Sequence, residues 1–232
     1  MKRPMIIIEK EHKASEDITA WAKIHSVPIV NMDSFSTGKT KGNDFSDFEY
    51  VIEYSEEITL EYIETAYSHA IGQPAVIGET EQLMIREIGM DDVKKYQTIL
   101  ELFPEAVSDK TLLNLNGKEF AERHQAYMKY SYGFLGYGIY GIFLRADTAV
   151  KMIGIAGLDG TETPSLSYAL LEEYRGKGYA YEACCLIIEY AMANLDLDKI
   201  NIFIRQDNTR SINLAKKLQG KYPILRIGAR LL

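Results

Sequence analysis

Cysteine is almost missing from this chain of 232 residues, and the two present, Cys184 and Cys185, are adjacent. Adjacent cysteines suit neither a disulfide framework nor a zinc site, both of which need spaced thiols. No apolar run comes near the roughly 18 residues that a membrane-spanning helix requires, so the sequence is not read as a membrane protein. Behind Met1-Lys2-Arg3-Pro4 the apolar stretch is only Met5-Ile6-Ile7-Ile8 before Glu9. A secretory signal needs about 7–15 apolar residues and a small-residue cleavage site, and neither is present. The expectation is a soluble, cytoplasmic protein. Histidine is scarce too: His12, His25, His69 and His124 are isolated, with no metal-ligand spacing, so no metal is expected and surface or half-buried positions are. An excess of positive charge is also lacking. With 26 Lys/Arg against 33 Asp/Glu the net charge is −7, which argues against a partner held by its phosphate backbone, and no nucleic acid is expected.

What is present divides unevenly. Residues 1–80 hold 7 Lys/Arg and 14 Asp/Glu, whereas residues 81–232 hold 19 of each. The whole acidic excess therefore lies in the first third. Composition is otherwise that of an ordinary folded protein, with 47% hydrophobic and 25% charged residues. The length allows one large domain or two small ones, and the charge split favours two.

The hydrophobic pattern gives each unit its own element order. In the first, strand-like runs at 5–9, 27–30, 50–54 and 75–77 alternate with helical patterns opened by Ser15 and by Thr59. Residues 33–47, rich in Gly, Ser and Asp, read as a loop. The order suggests a small α/β domain with a parallel sheet over residues 1–80. In the second unit, a strand at 83–88 precedes a helix capped by Asp91, with Val93, Tyr96, Leu100 and Phe103 on one face. A second helix follows at 118–130, then strands at 139–145, 151–158 and 166–171. A glycine loop, Arg175-Gly176-Lys177-Gly178, leads into a long helix with Ala180, Ala183, Cys184, Ile187 and Ala191 at helical spacing. A strand at 199–205, a helix opened by Asp207-Asn208 and a strand-like segment at 224–227 complete the order β-α-α-β-β-β-α-β-α-β.

The glycine loop is where chemistry enters. A strand running into glycines that open a helix presents orphan backbone N–H groups and the positive end of the helix dipole, a natural anion site. Gly176 and Gly178 let the backbone approach a ligand, and Arg175 and Lys177 add charge. An ordinary strand-to-helix turn would use the same glycines for geometry alone. The wider context resembles motif A of the GNAT N-acetyltransferase superfamily, whose loop reads Q/R-x-x-G-x-G/A, here Arg175-x-x-Gly178-x-Ala180. Asn208 to Leu218 similarly resembles the family's N-x-x-S/A-x-x-L-x-x-K-L helix. The wording is closest to the branch that acetylates N-terminal residues of ribosomal proteins. The resemblance covers about 83–222 and leaves 1–80 unrecognised.

The resemblance implies a GNAT-like mixed sheet flanked by helices at 81–232. It also implies transfer of an acetyl group from acetyl-CoA to an amine, a protein N-terminus or a small molecule, by direct attack on the thioester. Backbone groups near Ala169 and Leu170 would pair with the pantetheine arm, at a splay in the fourth strand. Amides of Arg175, Gly176, Lys177, Gly178, Tyr179 and Ala180 would hold the pyrophosphate. Asn208 would bond the pantetheine, with Ser211 close by, and an amide near Leu170 would face the oxyanion. A homodimer is allowed.

Four positions depart from the family. A general-base Glu five residues before the motif Asn is Phe203 here, and a Tyr seven residues after it is Ala215. A Glu opening the fourth strand is Ser165, and the Pro after that strand is Glu172. Catalytic candidates are therefore reduced to Glu162 and Tyr137, the latter within a cluster of Tyr127, Tyr130, Tyr132, Tyr137 and Tyr140 whose alternative is packing. Two rival readings remain open: a non-catalytic acyl-CoA-binding protein, and a module whose acidic domain recruits a basic partner. Ser36-Thr37-Gly38-Lys39-Thr40 looks like half a nucleotide P-loop, but Asp33 stands where that loop needs glycine, and it reads as a solvated loop. Cys184 and Cys185 read as small core residues.

Overall fold

The computed structural model describes residues 3–8, 13–31, 48–54, 59–146, 149–160 and 163–229. The chain divides into two compact units, Met1–Ala75 and Val76–Leu232.

The smaller unit is built on a three-stranded parallel sheet in the order β2-β1-β3, with β1 at Arg3–Ile8, β2 at Ile29–Asn31 and β3 at Phe48–Tyr54. Helices α1 (Glu16–Ile24) and α2 (Leu60–Ala70) accompany it. Ile6, Ile8, Ile18, Trp21 and Ile63 form the core, as expected where a central strand is covered by amphipathic helices. Thr59 caps α2 by accepting from the Tyr62 N–H at 3.2 Å. Residues 33–47, expected as a loop and carrying the half P-loop, lie outside the described residues, as does His12.

One expected element changes sheet. The strand read at 75–77 as the last of the small unit is β4 (Val76–Glu79), and it pairs antiparallel with β5 (Leu83–Arg86). Only the turn 80–82 separates them, so a hairpin forms locally and outcompetes a return to the parallel sheet. The boundary between compact units accordingly falls after Ala75 rather than at residue 80.

The larger unit carries a seven-stranded mixed sheet in the order β10-β9-β8-β7-β6-β5-β4. Strands β4 to β8 are antiparallel in sequence, with β6 at Ile139–Ala146, β7 at Ala149–Asp159 and β8 at Ser165–Leu170. Strands β9 (Ile200–Ile204) and β10 (Leu225–Ala229) run parallel to one another. Helices α5 (Tyr179–Asn194) and α6 (Thr209–Lys221) cover one face, where Ile153, Leu158, Leu170, Ala183, Cys184 and Ile187 meet. Helices α3 (Val93–Leu102) and α4 (Gly117–Tyr127) cover the other, where Tyr96, Phe120, Ile155 and Ala169 meet. Each fully buried Ile or Leu on these faces contributes about 1.5–3 kcal/mol. Both cysteines are buried free thiols on the inner face of α5, as its small-residue stripe suggested.

Local details depart from expectation in two places. Asp92, not Asp91, closes the start of α3: its carboxylate accepts from the Gly89 N–H at 2.9 Å and pairs with Arg86 at 2.7 Å. Helix α4 does not stop near 130 but continues as a π-helical segment, Met128–Leu135, ended by left-handed Gly136.

Three consequences can be measured. A Cβ on Gly154 of β7 would stand 2.3 Å from the Ala169 carbonyl oxygen of β8. Gly154→Ala should lower the unfolding free energy by about 1–3 kcal/mol in urea titration. Gly220→Ala in α6, where a Cβ meets nothing within 4 Å, should raise it by about 0.4–1 kcal/mol. A chain of residues 76–232 should stay monodisperse in size-exclusion chromatography. One of residues 81–232 bares the β5 edge and should aggregate. Equal behaviour of the two would show that β4 does not protect the sheet.

Candidate functional site

Strand β8 is paired along its whole length with β7, from Ser165 opposite Asp159 to Leu170 opposite Gly154. Its other neighbour, β9, meets it at a single position, Ser165 opposite Asn201, where the Asn201 N–H donates to the Pro164 oxygen at 2.9 Å. Beyond that point the two parallel strands part. In an antiparallel pair alternate residues turn their backbone groups towards the partner. The Leu171 N–H donates to the Ile153 oxygen at 3.0 Å and so fixes the phase. Ser167 and Ala169 therefore spend their backbone groups on β7, whereas Tyr168 and Leu170 present theirs to the opening. The Leu170 carbonyl accepts from Arg175 Nε at 3.0 Å. The N–H groups of Tyr168 and Leu170 face the gap with no ladder partner.

The glycine loop stands at the end of the same strand. After Leu171 a tight turn, Glu172–Tyr174, delivers the chain to Arg175, whose N–H returns to the Glu172 oxygen at 3.1 Å. Gly176 and Gly178 then adopt φ of +76° and +89°, the left-handed region that costs other residues roughly 1–2 kcal/mol. A Cβ at either would meet nothing within 4 Å, so conformation rather than packing against protein demands glycine here. The first N–H of this segment to find a helical acceptor is that of Glu182, bonded to the Gly178 oxygen at 3.1 Å. The amides of Gly176 to Tyr181 have no acceptor among the described residues and converge at the positive end of a sixteen-residue helix. Lys177 adds an exposed ammonium, 5.5 Å from the Tyr174 ring centroid.

The start of α6 completes the group. Asn208 caps that helix, its side-chain oxygen accepting from the Ser211 N–H at 3.1 Å. The Ser211 hydroxyl accepts from Tyr168 Oη at 2.8 Å, and burial pushes that phenol up to about 12. Because β8 and β9 are parallel, the loops after both emerge at the same edge of the sheet, where ligands of open α/β sheets commonly bind. The sequence-selected residues 169–170, 175–180, 208 and 211 are thus gathered around one opening. Two contacts that tie it together, Arg175 to Leu170 and Tyr168 to Ser211, have no signature in the sequence; the second spans 43 positions.

The candidates for acid and base are distributed differently. Phe203 projects half-exposed from β9, and Ala215 is fully buried in α6. Glu162 lies outside the described residues. Tyr137 is buried and donates its hydroxyl to the Gly160 oxygen at 2.9 Å. Tyr127 accepts from the Ile139 N–H at 2.6 Å, and Tyr132 accepts from the Ile88 N–H at 3.3 Å while donating to the Ile139 oxygen. Tyr132 stacks on Tyr140 at 5.4 Å, and Tyr130 stacks on exposed Phe134. Most of this cluster is packing: its hydroxyls staple the end of α4 to the start of β6. His124, expected at or near the surface, is instead buried, with Nε2–H donating to the Ile88 oxygen at 2.7 Å. No group of three or more potential metal ligands occurs among the described residues, and no described helix is long and apolar enough to cross a membrane.

Residues 82–221 match the family model described as "Acetyltransferase (GNAT) domain". Among solved structures, the chain is similar to an acetyltransferase from Bordetella pertussis assigned to the GnaT family, 17% identical over 62% of this chain and 86% of that one, with a TM-score of 0.50. A probable acetyltransferase is 18% identical over 62% and 81%, also at 0.50. RimL, a ribosomal L7/L12 alpha-N-protein acetyltransferase in complex with coenzyme A, is 16% identical over 61% and 81%, at 0.49. At these identities the likeness is one of fold.

Burial holds the His124 imidazole below the ordinary histidine range. As pH falls, the unfolded chain takes up this proton first, so stability is present above about 6.5 and is lost towards the depressed folded value. His124→Gln should be less stable than wild type at pH 8, with the gap narrowing towards pH 5 in urea midpoints. A gap that stays constant would mean that His124 is not held neutral.

Proposed function

The chain belongs to the GNAT acetyltransferase family, and from that premise we propose that it transfers an acetyl group from acetyl-CoA to the nitrogen of an amine. The observation that carries the reading is the opening beside β8: two backbone N–H groups face a gap that ends in a row of unpartnered amides. The residues fit a pantetheine arm and a pyrophosphate in both shape and charge. The Tyr168 and Leu170 N–H groups would serve two oxygens, that of a pantetheine amide and that of the thioester. The amides from Gly176 to Ala180, with Lys177, would take the pyrophosphate, and the free side-chain N–H of Asn208 would reach the arm from the α6 side.

The amine would attack the thioester carbon directly: a C–N bond forms, the C–S bond breaks, and CoA leaves as thiolate. The nitrogen's proton passes to water, since Phe203 and Ala215 offer neither a base nor an acid. Orientation and the backbone donors would then supply the rate, as they do for well-positioned reactants generally. We assign this chemistry to the larger unit and leave the acidic unit without a role in it. A cytoplasmic location, in keeping with two free thiols, belongs to the same proposal. The same two substitutions motivate a second reading, a protein that binds acetyl-CoA and does not turn it over.

Gly178→Ala and Gly178→Glu test the loop. Both carry the cost of a left-handed non-glycine residue, but only glutamate adds bulk and negative charge where phosphates would lie. Acetyl-CoA should raise the melting temperature of wild type clearly, of the alanine variant less, and of the glutamate variant not at all. Equal shifts in all three would remove the loop from the site. Release of CoA in the presence of amines separates the two readings: a thermal shift without any release supports binding alone.

A further inference from the structure

A second cavity opens on the other face of the sheet, between α3, α4 and the segment 107–112. Its volume is about 60 Å³, and its lining includes Tyr96, Asp109, Leu112, Phe120, Arg123, His124 and Asp159. The polar groups around it are unequally satisfied. Asp109 is fully engaged, paired with Arg123 at 3.1 Å and accepting from Thr111. Asp159 accepts from the Ser108 N–H at 2.6 Å and the Gly160 N–H at 2.9 Å, which fix its position. Yet no lysine or arginine among the described residues pairs with it. Tyr96 is 3% exposed, and its hydroxyl has no partner among the described residues. His124 is 2% exposed and commits one ring nitrogen to Ile88, leaving Nδ1 as an acceptor without a described partner. Buried hydrogen-bonding groups are ordinarily satisfied. Here a hydroxyl, an imidazole nitrogen and a carboxylate without a counter-ion surround one small space.

The sheet register places that space relative to the opening. Asp159 lies opposite Ser165, the last residue of β8 to meet β9, and Tyr168 stands three residues further along. The distance from Asp159 to the Tyr168 N–H is therefore about 10 Å. Subtracting a contact of roughly 3 Å at each end leaves about 4 Å between a cation held by Asp159 and a nitrogen reaching the thioester, the span of roughly two to four carbons in a bent chain. The apolar wall of Leu112 and Phe120 suits such a stem.

We propose that this cavity seats the acceptor, and that the acceptor is a small amine carrying a second positive charge, which Asp159 holds while the other nitrogen reaches the opening at Tyr168. The inference rests on the acetyl-transfer reading and sharpens it to a substrate class. It assigns Asp159 and Tyr96 to acceptor specificity, and it explains why a buried phenol and imidazole are left with unused hydrogen-bonding capacity in the free protein.

The test uses the full chain with 1,4-diaminobutane, n-butylamine and a short peptide with a free N-terminus. With acetyl-CoA present, kcat/KM for the diamine should exceed that for the monoamine by about tenfold or more, the value of one charged contact. Asp159→Asn should bring the diamine down to the level of n-butylamine, while acetyl-CoA still raises the variant's melting temperature. Tyr96→Phe should melt no lower than wild type, because it removes a hydroxyl that has no partner, and should weaken diamine binding by about tenfold in calorimetry. Equal kcat/KM for diamine and monoamine, a preference for the peptide, or an equal loss for both amines in Asp159→Asn would overturn the proposal. If no amine releases CoA, the acetyl-transfer reading fails by itself. Calorimetry without acetyl-CoA then decides the cavity: diamine binding that Asp159→Asn abolishes supports it, and absent binding sinks it.

Discussion

The larger unit is organised around a strand whose two edges are treated differently. Strand β8 is completely paired with β7, and that ladder, with Gly154 pressed against the Ala169 carbonyl, leaves no freedom in its register. Its other edge touches β9 once and then stands open. Unpaired backbone donors in a sheet interior are unfavourable unless something else meets them. The fold bears that cost here, between elements clamped on both sides. Arg175 covers the Leu170 carbonyl from the loop, and Tyr168 holds Ser211 from the sheet. The opening is therefore a rigid feature, with its donors aimed before any ligand arrives, which is what preorganised electrostatic stabilisation requires.

The loop and the strand answer to separate constraints, and this explains why one was readable in the sequence and the other was not. Gly176 and Gly178 are visible because only glycine tolerates their backbone angles, and because a strand, two glycines and a helix follow within a few residues. The Asn208 cap is visible for the same local reason. The opening itself depends on where β9 lands, a matter of packing between α5, α6 and the sheet, and no residue announces it. The sequence also could not separate Ala169 from Leu170. Both stand in the right strand, yet the phase of the β7 ladder commits one backbone to the sheet and frees the other. Phase is set by the Leu171–Ile153 bond, which joins residues 18 positions apart.

Elsewhere the local pattern was sufficient or misleading for identifiable reasons. Period-3.6 stripes placed α3, α4, α5 and α6 to within a few residues, since each buries one face against a single sheet, whereas the π-helical continuation of α4 carries no such stripe. The strand at 76–79 was assigned to the wrong sheet because its composition suits either. A three-residue connection to β5 decides the matter, and proximity along the chain is worth more than resemblance to a β-α-β order. The tyrosines of 127–140 offered two explanations, and hydrogen bonds to the backbone at Ile88, Ile139 and Gly160 account for three of the five hydroxyls. A phenol locked between a helix and a strand in this way serves the scaffold.

Those staples also define what the remaining polar groups on that face can be. Tyr127 and Tyr132 fix the end of α4 against β6, which holds His124 and, through α3, Tyr96 in place around the same small space. Asp159 is pinned by two amides, one from the 107–112 segment and one from its own turn. Held by backbone donors, Asp159 has no described lysine or arginine opposite it, unlike Asp109 beside Arg123. Of two acids bordering one space, the structure neutralises one and leaves the other available. The distinction between them is not one of residue type or exposure, which are similar, but of what stands opposite: a guanidinium for one, a cavity for the other.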